Sequence, residues 1–368
     1  MFEGRIAASR LVAVEVEGFP PALDALAEHN LAGHGFLRAA WYRASLSACA
    51  RPHSAQRGRS LLVQRAGQCG SFPIAAIPTI GFGPALLGAR RVAGAYWPLR
   101  AALIGRDCDP RELAAALALP AARRALGPIW RLGPARADCP ATARLVAAAE
   151  AAGWQVLARP AGTCWVIDCA AARAEGWPRA STAKRMARIE RRLGRLGPVS
   201  WSRVRGAAWS AAALDELAAI EAASWIAART DGSGAKFLHP HQRALWLEVL
   251  ADPALAAMLC ATILKVGGKP VAFSFDLIDG QVQYGIAGSY VQALARHEIG
   301  KLANHRALAD AIAGGIDLMD LGAGDSGYKR EIGARAGYEL VDLLIVRPRL
   351  AARLIAPLWA GWGKAHHG

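Results

Sequence analysis

The sequence predicts an α+β fold built as two similar domains in tandem, each a mixed β-sheet flanked by helices. Three observations carry that expectation. The 368 residues exceed what one ordinary core holds, and 54% apolar against 20% charged residues is a globular balance. Short apolar runs of strand character alternate with Ala/Leu-rich stretches of helical period. In both halves helices precede a glycine-linked strand pair, so the second half repeats the plan of the first. The expected divisions are residues 1–175, residues 176–346, and a basic, tryptophan-containing tail at 347–368.

The first half reads in order as follows. Residues 20–50 have a helical stripe that includes Trp41 and Leu46. Ser60-Leu-Leu-Val-Gln-Arg65 and Ser71-Phe-Pro-Ile-Ala-Ala-Ile-Pro78 are strand-like runs around Gly67 to Gly70, a hairpin signature. Val92 to Leu103 reads as strand and loop, and 110–125 as a helix opened by Pro110. Ile129 to Leu132 is a strand, 140–152 a helix closed by Gly153, and Trp154 to Ala158 and Thr163 to Asp168 are strand-like again.

The second half opens with a basic helix (181–196), a strand (Val199 to Val204), a long helix (210–228) and another near 240–251. Met258 to Val266 and Pro270 to Ile278 flank Gly267-Gly268-Lys269 as a hairpin. Gln281 to Ser289 is a third strand, 299–314 a helix, Asp317 to Leu321 a strand, and Leu340 to Val346 the last strand.

Charge points toward anionic partners. Lys+Arg number 44 and Asp+Glu 29, a formal charge of +15, part of which reflects an Arg- and Ala-rich composition. The seven cysteines (Cys49, Cys69, Cys108, Cys139, Cys164, Cys169, Cys260) form no C-x-x-C pair, as expected for reduced, structural thiols in a cytoplasmic protein. The N-terminal residues have no apolar signal-peptide core, and no run is long enough to span a bilayer. Peripheral attachment to the inner membrane stays open.

Two segments concentrate the chemistry. In the first, Ala295-Arg-His-Glu-Ile-Gly-Lys-Leu302 joins a strand to a helix. Arg296, Gly300, Lys301 and Leu302 form a helix start with unpaired N–H groups and cations, suited to a diphosphate. Taken alone, the same turn is more simply a plain helix start with solvated cations. His297 and Glu298 are adjacent there and point to different sides, so either can serve as a base or merely as a cap.

In the second segment, the strand ending Met319-Asp-Leu321 runs into Gly322-Ala-Gly-Asp-Ser-Gly-Tyr-Lys329. Asp325 can bind or deprotonate an ammonium, Tyr328 can protonate a leaving group, and Lys329 can hold a phosphate or an oxyanion. A polar turn with an internal salt bridge is the plainer alternative. No G-x-G-x-x-G opens a helix, which excludes a dinucleotide fold, and neither a G-x-S-x-G elbow nor a P-loop is present.

On the helix Ser181 to Leu196, Lys184, Arg185, Arg188, Arg191, Arg192 and Arg195 share one face, opposite Met186, Ile189, Leu193 and Leu196. That basic face suits nucleic acid, anionic lipid, a cofactor phosphate, or only solvent. In the tail, Trp359 and Trp362 with Arg349, Arg353 and Lys364 suit a bilayer interface or packing on the protein body, and Pro357 interrupts a single helix. His239, His241, His366 and His367 lack a third well-spaced ligand, so no metal is expected.

Taken in order, these segments resemble the CelD/BioF-like, FemX-related branch of the GNAT acyltransferase superfamily. Ser181 to Gly197 is similar to its basic helix, Ala222-Ala-Ser-Trp225 to its E-x-x-S-W helix end, and Leu264 to Phe273 to its L-x-x-G-x-x-I-A hairpin. Ala287-Gly-Ser-Tyr290 with His297 to Leu302 resembles A-Y-D…Y-S-P-G-x-L-L, and Asp317 to Lys329 resembles F-D-L-G-x-G-x-x-x-Y-K. One departure stands out: Glu298-Ile299-Gly300 follows His297 where many members have Ser-Pro-Gly.

The resemblance implies two tandem GNAT-like domains, with the first shaping the acceptor cleft and the second binding acyl-CoA through a V-shaped strand opening that admits the pantetheine arm. The expected activity is acyl transfer from acyl-CoA, without a metal, to an amine or hydroxyl. The acceptor expected is a small amphiphilic amine or a saccharide. A membrane-associated long-chain amine such as a sphingoid base, giving a ceramide-like product, is the specific choice. An anionic membrane surface is a further expected partner, and nucleic acid is not. Polysaccharide N- or O-acetylation, FemX-like transfer from aminoacyl-tRNA, and a non-catalytic membrane- or nucleic-acid-binding role are the alternatives.

Overall fold

The computed structural model describes residues 10–47, 58–67, 70–94, 99–229, 234–324 and 327–362. The chain forms two compact units. Unit 1 takes the chain up to residue 162, apart from 47–50, and takes it up again from 339; unit 2 takes 163–338. The first division thus falls earlier than the expected 175/176. Residues from 339 onward belong to unit 1, rather than completing the second domain and then forming a separate tail.

Up to the first crossing the elements are β1 (Arg10–Glu17), α1 (Ala22–His29), α2 (Ala39–Ser47), β2 (Arg59–Gly67), β3 (Gly70–Gly81), β4 (Arg90–Val92), β5 (Leu103–Ile104), α3 (Pro110–Ala118), α4 (Pro120–Leu126), β6 (Ile129–Arg136), α5 (Pro140–Ala151) and β7 (Gln155–Asp168). Then come α6 (Cys169–Ala174), α7 (Ala180–Leu193), β8 (Val199–Arg205), α8 (Ala211–Ala222), α9 (Trp225–Arg229), α10 (Pro240–Leu250), α11 (Pro253–Met258), β9 (Leu259–Val266), β10 (Lys269–Asp279) and β11 (Val282–Tyr290). The last are α12 (Ile299–Ala313), β12 (Leu318–Ala323), α13 (Tyr328–Glu331), β13 (Arg335–Val346) and α14 (Arg349–Trp362).

The expected hairpins form, the first with Gly67 opposite Gly70. Gly267 and Gly268, at φ +58 and +77, turn β9 into β10 as a two-residue loop of left-handed residues requires. Three single helices expected from periodicity are broken instead. Residues 20–50 split where the Asn30 side chain donates to the carbonyls of Ala27 (2.6 Å) and His34 (3.1 Å), turning the chain. Residues 110–125 split at Pro120, which restarts a helix because it needs no N–H partner there. Residues 210–228 split where Ser224 Oγ donates to the Glu221 carbonyl at 2.7 Å. The reverse holds in the tail: α14 runs unbroken through Pro357.

In unit 1, β1, β2 and β3 are antiparallel, β4 pairs with both β3 and β6, and β6 pairs antiparallel with Leu340–Val346 of β13. Trp130, Trp154, Leu343 and Ile345 lie in its main core. Helix α14 is fixed by Ala352 and Trp359, which pack on Leu344 and Val346. Beneath it Arg131 and Arg159 both donate to the buried Asp342 carboxylate, at 2.7 and 2.6 Å, and the Arg159 guanidinium stacks 3.9 Å from the Trp359 ring.

In unit 2 the order runs β7-β12-β11-β10-β9-β8, antiparallel except for β11 with β12. Strand alternation sorts its two faces. Phe273 and Phe275 of β10 meet Phe237 and Trp246 on one side. Ala272 faces the other side, where Ile299, Leu302 and Ala303 of α12 cover it together with Ile189 and Leu193 of α7.

Candidate active site

The site begins where two strands part. Parallel β11 and β12 pair only from Val282↔Leu318 to Tyr284↔Asp320. Beyond those residues β11 continues against β10 as far as Tyr290, while β12 stays with β7, Ala323 facing Cys164. A parallel pair that separates inside a sheet leaves unpaired edges facing a wedge, a ready slot for a slender ligand. At its base the position a Cβ would take on Gly285 lies 3.5 Å from the Asp320 carbonyl oxygen and 3.7 Å from Asp276 Oδ1.

The turn after β11 sits at the start of α12. Glu298 holds φ +59, the left-handed region, and is the sole non-glycine there among the described residues. Its carbonyl accepts the first helical bond, from Leu302 N–H at 3.1 Å. The N–H groups of Ile299, Gly300 and Lys301 have no acceptor among the described residues, and no side chain caps the helix. These donors and the helix dipole favour an anion.

The side chains of this turn have different tasks. Glu298 pairs with Arg185 and with Arg192, the latter at 3.1 Å, both on α7. The Arg185 contact, then that of Arg192, holds its carboxyl below the usual carboxylate range. An acid tied to two guanidiniums anchors the turn to α7, which makes it a poor proton acceptor. Arg296 is exposed and its Nε donates to His297 Nε2 at 3.3 Å. Lys301 pairs with Glu331 of α13 at 2.7 Å, tying the turn to the loop after β12. Leu302 is a core residue. Gly300 is demanded by packing, since a Cβ there would lie 2.7 Å from the Tyr290 ring.

The loop after β12 is braced from below. Asp320, fully buried, accepts from Gly322 N–H at 2.7 Å and from the Tyr338 hydroxyl. Lys329, expected to hold a phosphate or an oxyanion, is 5% exposed and donates instead to the carbonyls of Gly322, Ala323 and Gly324 at 2.9, 3.0 and 2.7 Å. An ammonium has three hydrogens, so that set occupies it and makes Lys329 the clamp of the loop. Asp325 lies outside the described residues. Tyr328 opens α13, is 39% exposed, and has its phenol pushed up by desolvation and then by the Asp276 charge.

Asp276 is the residue that sequence reasoning missed. It lies in β10 opposite Gly285, next to an irregularity in the β10–β11 register, and is 1% exposed. Ser274 Oγ donates to Oδ2 at 2.8 Å, whereas Oδ1, on the Gly285 side, has no hydrogen-bond partner among the described residues. Burial, opposed by Ser274, Gln283 and Arg203, pushes the carboxyl up to about 7. A signal existed in Phe273-Ser-Phe-Asp-Leu277: period-two alternation places Ser274 and Asp276 together on one face of a buried strand. An unpartnered carboxyl oxygen beside a wedge, titrating near neutrality, is chemically equipped to exchange a proton.

Among the described residues, no three His, Cys, Asp or Glu side chains group as metal ligands, and Cys108, Cys139, Cys164, Cys169 and Cys260 are buried and form no disulfide. Buried Glu221, at the end of α8, accepts backbone N–H bonds from Lys236, Phe237 and Leu238 at 2.7–3.1 Å, a structural task.

A family model for the acetyltransferase (GNAT) domain matches residues 180–330. No curated protein sequence matches the chain. Among solved structures, FemX is similar at TM-score 0.59, with 10% identity over 93% of this chain and 99% of its own. L-PGS from Bacillus licheniformis is similar at 0.52, with 12% identity over 95% and 99%. A conserved protein of unknown function from Bacteroides thetaiotaomicron VPI-5482 is similar at 0.53, with 12% identity over 90% and 99%. At these identities the likeness concerns the fold alone. The parted strands, the uncapped turn and Asp276 all fall within residues 180–330, the span that matches the acetyltransferase (GNAT) domain.

Proposed function

We propose that unit 2 transfers an acyl group from acyl-CoA to an amine, with the thioester reaching the floor of the wedge between β11 and β12. The observation that carries this reading is the end of β11–β12 pairing at Tyr284 and Asp320, directly beside Asp276. The free N–H groups of Ile299, Gly300 and Lys301 would receive the diphosphate, with Arg296 and His297 at the rim.

The chemistry balances with this chain's own groups. The amine nitrogen attacks the thioester carbonyl and its proton passes to Asp276. The C–S bond breaks, and Tyr328 protonates the departing thiolate. Positioning and proton handling are what such a direct attack requires. Asp276 takes the role of base expected for His297 or Glu298, because Glu298 is engaged by Arg185 and Arg192. A hydroxyl acceptor would use the same groups. No feature of the site favours a sphingoid base over other amines.

Transfer from aminoacyl-tRNA is the second reading, and one observation favours it. Lys184, Arg188 and Arg191 on α7, and Arg195 in the turn after it, are exposed and have no carboxylate partner among the described residues. Four such cations beside the turn exceed what a single diphosphate needs. Titrating the protein with acyl-CoA of two to eighteen carbons and with charged tRNA separates the two. The first reading expects saturable acyl-CoA binding and turnover of an amine. Absence of any acyl-CoA binding, with tRNA affinity falling steeply as salt rises, would replace it with the second.

A further inference from the structure

The tail reverses the arrangement its sequence suggests. Trp359 is 3% exposed and faces the core of unit 1, so it is not an interfacial anchor. The outer face of α14 carries Leu350, Leu354 and Leu358 instead, at 71%, 70% and 73% exposure. Spaced four apart, they form one stripe along the helix. Exposed Arg349 and Arg353 flank it, and exposed Pro357 continues its surface.

A second apolar projection lies at the same edge of unit 1. The turn between β3 and β4 exposes Leu86 at 99% and Leu87 at 56%. Its Gly88 carbonyl abuts Gly127, at 2.2 Å from where a Cβ would stand, and the adjoining Pro128 carbonyl accepts from Arg347 N–H at 3.0 Å, just before α14. The Arg131 guanidinium also lies 5.8 Å from the Phe82 ring and 5.9 Å from the Trp359 ring, joining the foot of that turn to the helix.

The charge at this edge is uncompensated. Residues 343–362 contain Arg347, Arg349 and Arg353 and no Asp or Glu. Arg123 adds its like charge to Arg347, and Arg123, Arg347, Arg349 and Arg353 have no carboxylate partner among the described residues. A second copy docked here would bring these cations against their own images, at electrostatic cost. An anionic bilayer surface satisfies both components at once, accepting the leucines into its acyl boundary and the guanidiniums at its headgroups. No helix among the described residues is long and apolar enough to cross a membrane, so the contact is one of surface docking.

We infer that α14 and the Leu86–Leu87 turn form a docking face for an anionic lipid bilayer. The inference is independent of the transfer chemistry.

Flotation of the full chain with phosphatidylcholine vesicles, with and without about a third phosphatidylglycerol, tests it. Binding should be at least tenfold tighter to the anionic vesicles. The triple variant Leu350→Gln, Leu354→Gln, Leu358→Gln should weaken it roughly a hundredfold, given the apolar area withdrawn. Leu86→Ser with Leu87→Ser, and Arg349→Glu with Arg353→Glu, should each weaken it about tenfold. Leu350, Leu354 and Leu358 are at least 70% exposed, so the melting curve of the leucine variant should stay close to wild type. Failure to float with either vesicle, or flotation indifferent to the leucine variant, overturns the inference. So does a wild-type dimer by sedimentation equilibrium that the leucine variant converts to monomer.

Discussion

Asp276 has opposite effects on stability and on turnover, and one substitution measures both. Its ordinary value is 3.8 and its folded value about 7. Between those limits the folded chain keeps a proton that the unfolded chain has released. Stability therefore falls as pH rises through that window, and the penalty is complete above it. Asp276→Asn removes the penalty. The variant should exceed wild type by on the order of 2–4 kcal/mol at pH 8 in urea unfolding, with the gap closing toward pH 4. Under the proposed chemistry, turnover should rise with pH through about 7 in wild type as the base ionises. The variant should lose that limb and roughly a hundredfold or more in kcat. An unchanged pH–rate profile in Asp276→Asn would remove it from the mechanism.

At the same scale, sequence reasoning read residue type well and residue task poorly. Glu298 and Lys329 are chemically able to do what was expected of them. Their partners decide otherwise, and Arg185, Arg192 and the carbonyls of Gly322 to Gly324 become visible only when distant or looped-back segments meet. Asp276 was hidden for the converse reason. A carboxylate inside an apolar run looks like an interruption until the strand beside it is known to part from its neighbour.

Among elements, hairpins and helix starts were legible where glycine and proline fix them locally, as at Gly267-Gly268 and Pro110, whereas the restart at Pro120 was not read. The broken helices were not, because Asn30 and Ser224 break them through side-chain bonds that periodicity ignores. The α12 start makes a sharp prediction. A Gly-to-Ala change in a helix ordinarily stabilises by up to about 1 kcal/mol. At Gly300 the new methyl meets the Tyr290 ring at 2.7 Å, so Gly300→Ala should destabilise by roughly 1–3 kcal/mol. Adding Tyr290→Ala should relieve the clash, giving a positive coupling in a double-mutant cycle. Additive losses would mean that the ring does not set the requirement for glycine.

For the whole molecule, the two-unit α+β plan was readable from the repeated order of helices and hairpins, while its division was not. The reading placed residues 176–346 in one domain because they are consecutive. The structure instead gives Leu340–Val346 to unit 1, as the partner of β6. A fragment ending at residue 175 thus lacks Leu343 and Ile345 from its core and leaves β6 with an open edge. Expressed alone, it should be insoluble or show no cooperative unfolding, and supplying residues 335–362 in trans should recover a melting transition. A stable, cooperatively folding 1–175 fragment would show that the last strand is dispensable.

The late return of the chain to unit 1 also dictates an order of events at the ribosome. Unit 1 begins first and finishes last, because its sheet waits for residues beyond 338 to emerge. Unit 2 is contained between those two visits and can complete its own sheet while its host is still open. Until Leu340–Val346 emerge, the nascent protein holds an exposed β6 edge, the interval in which a holding chaperone would matter most.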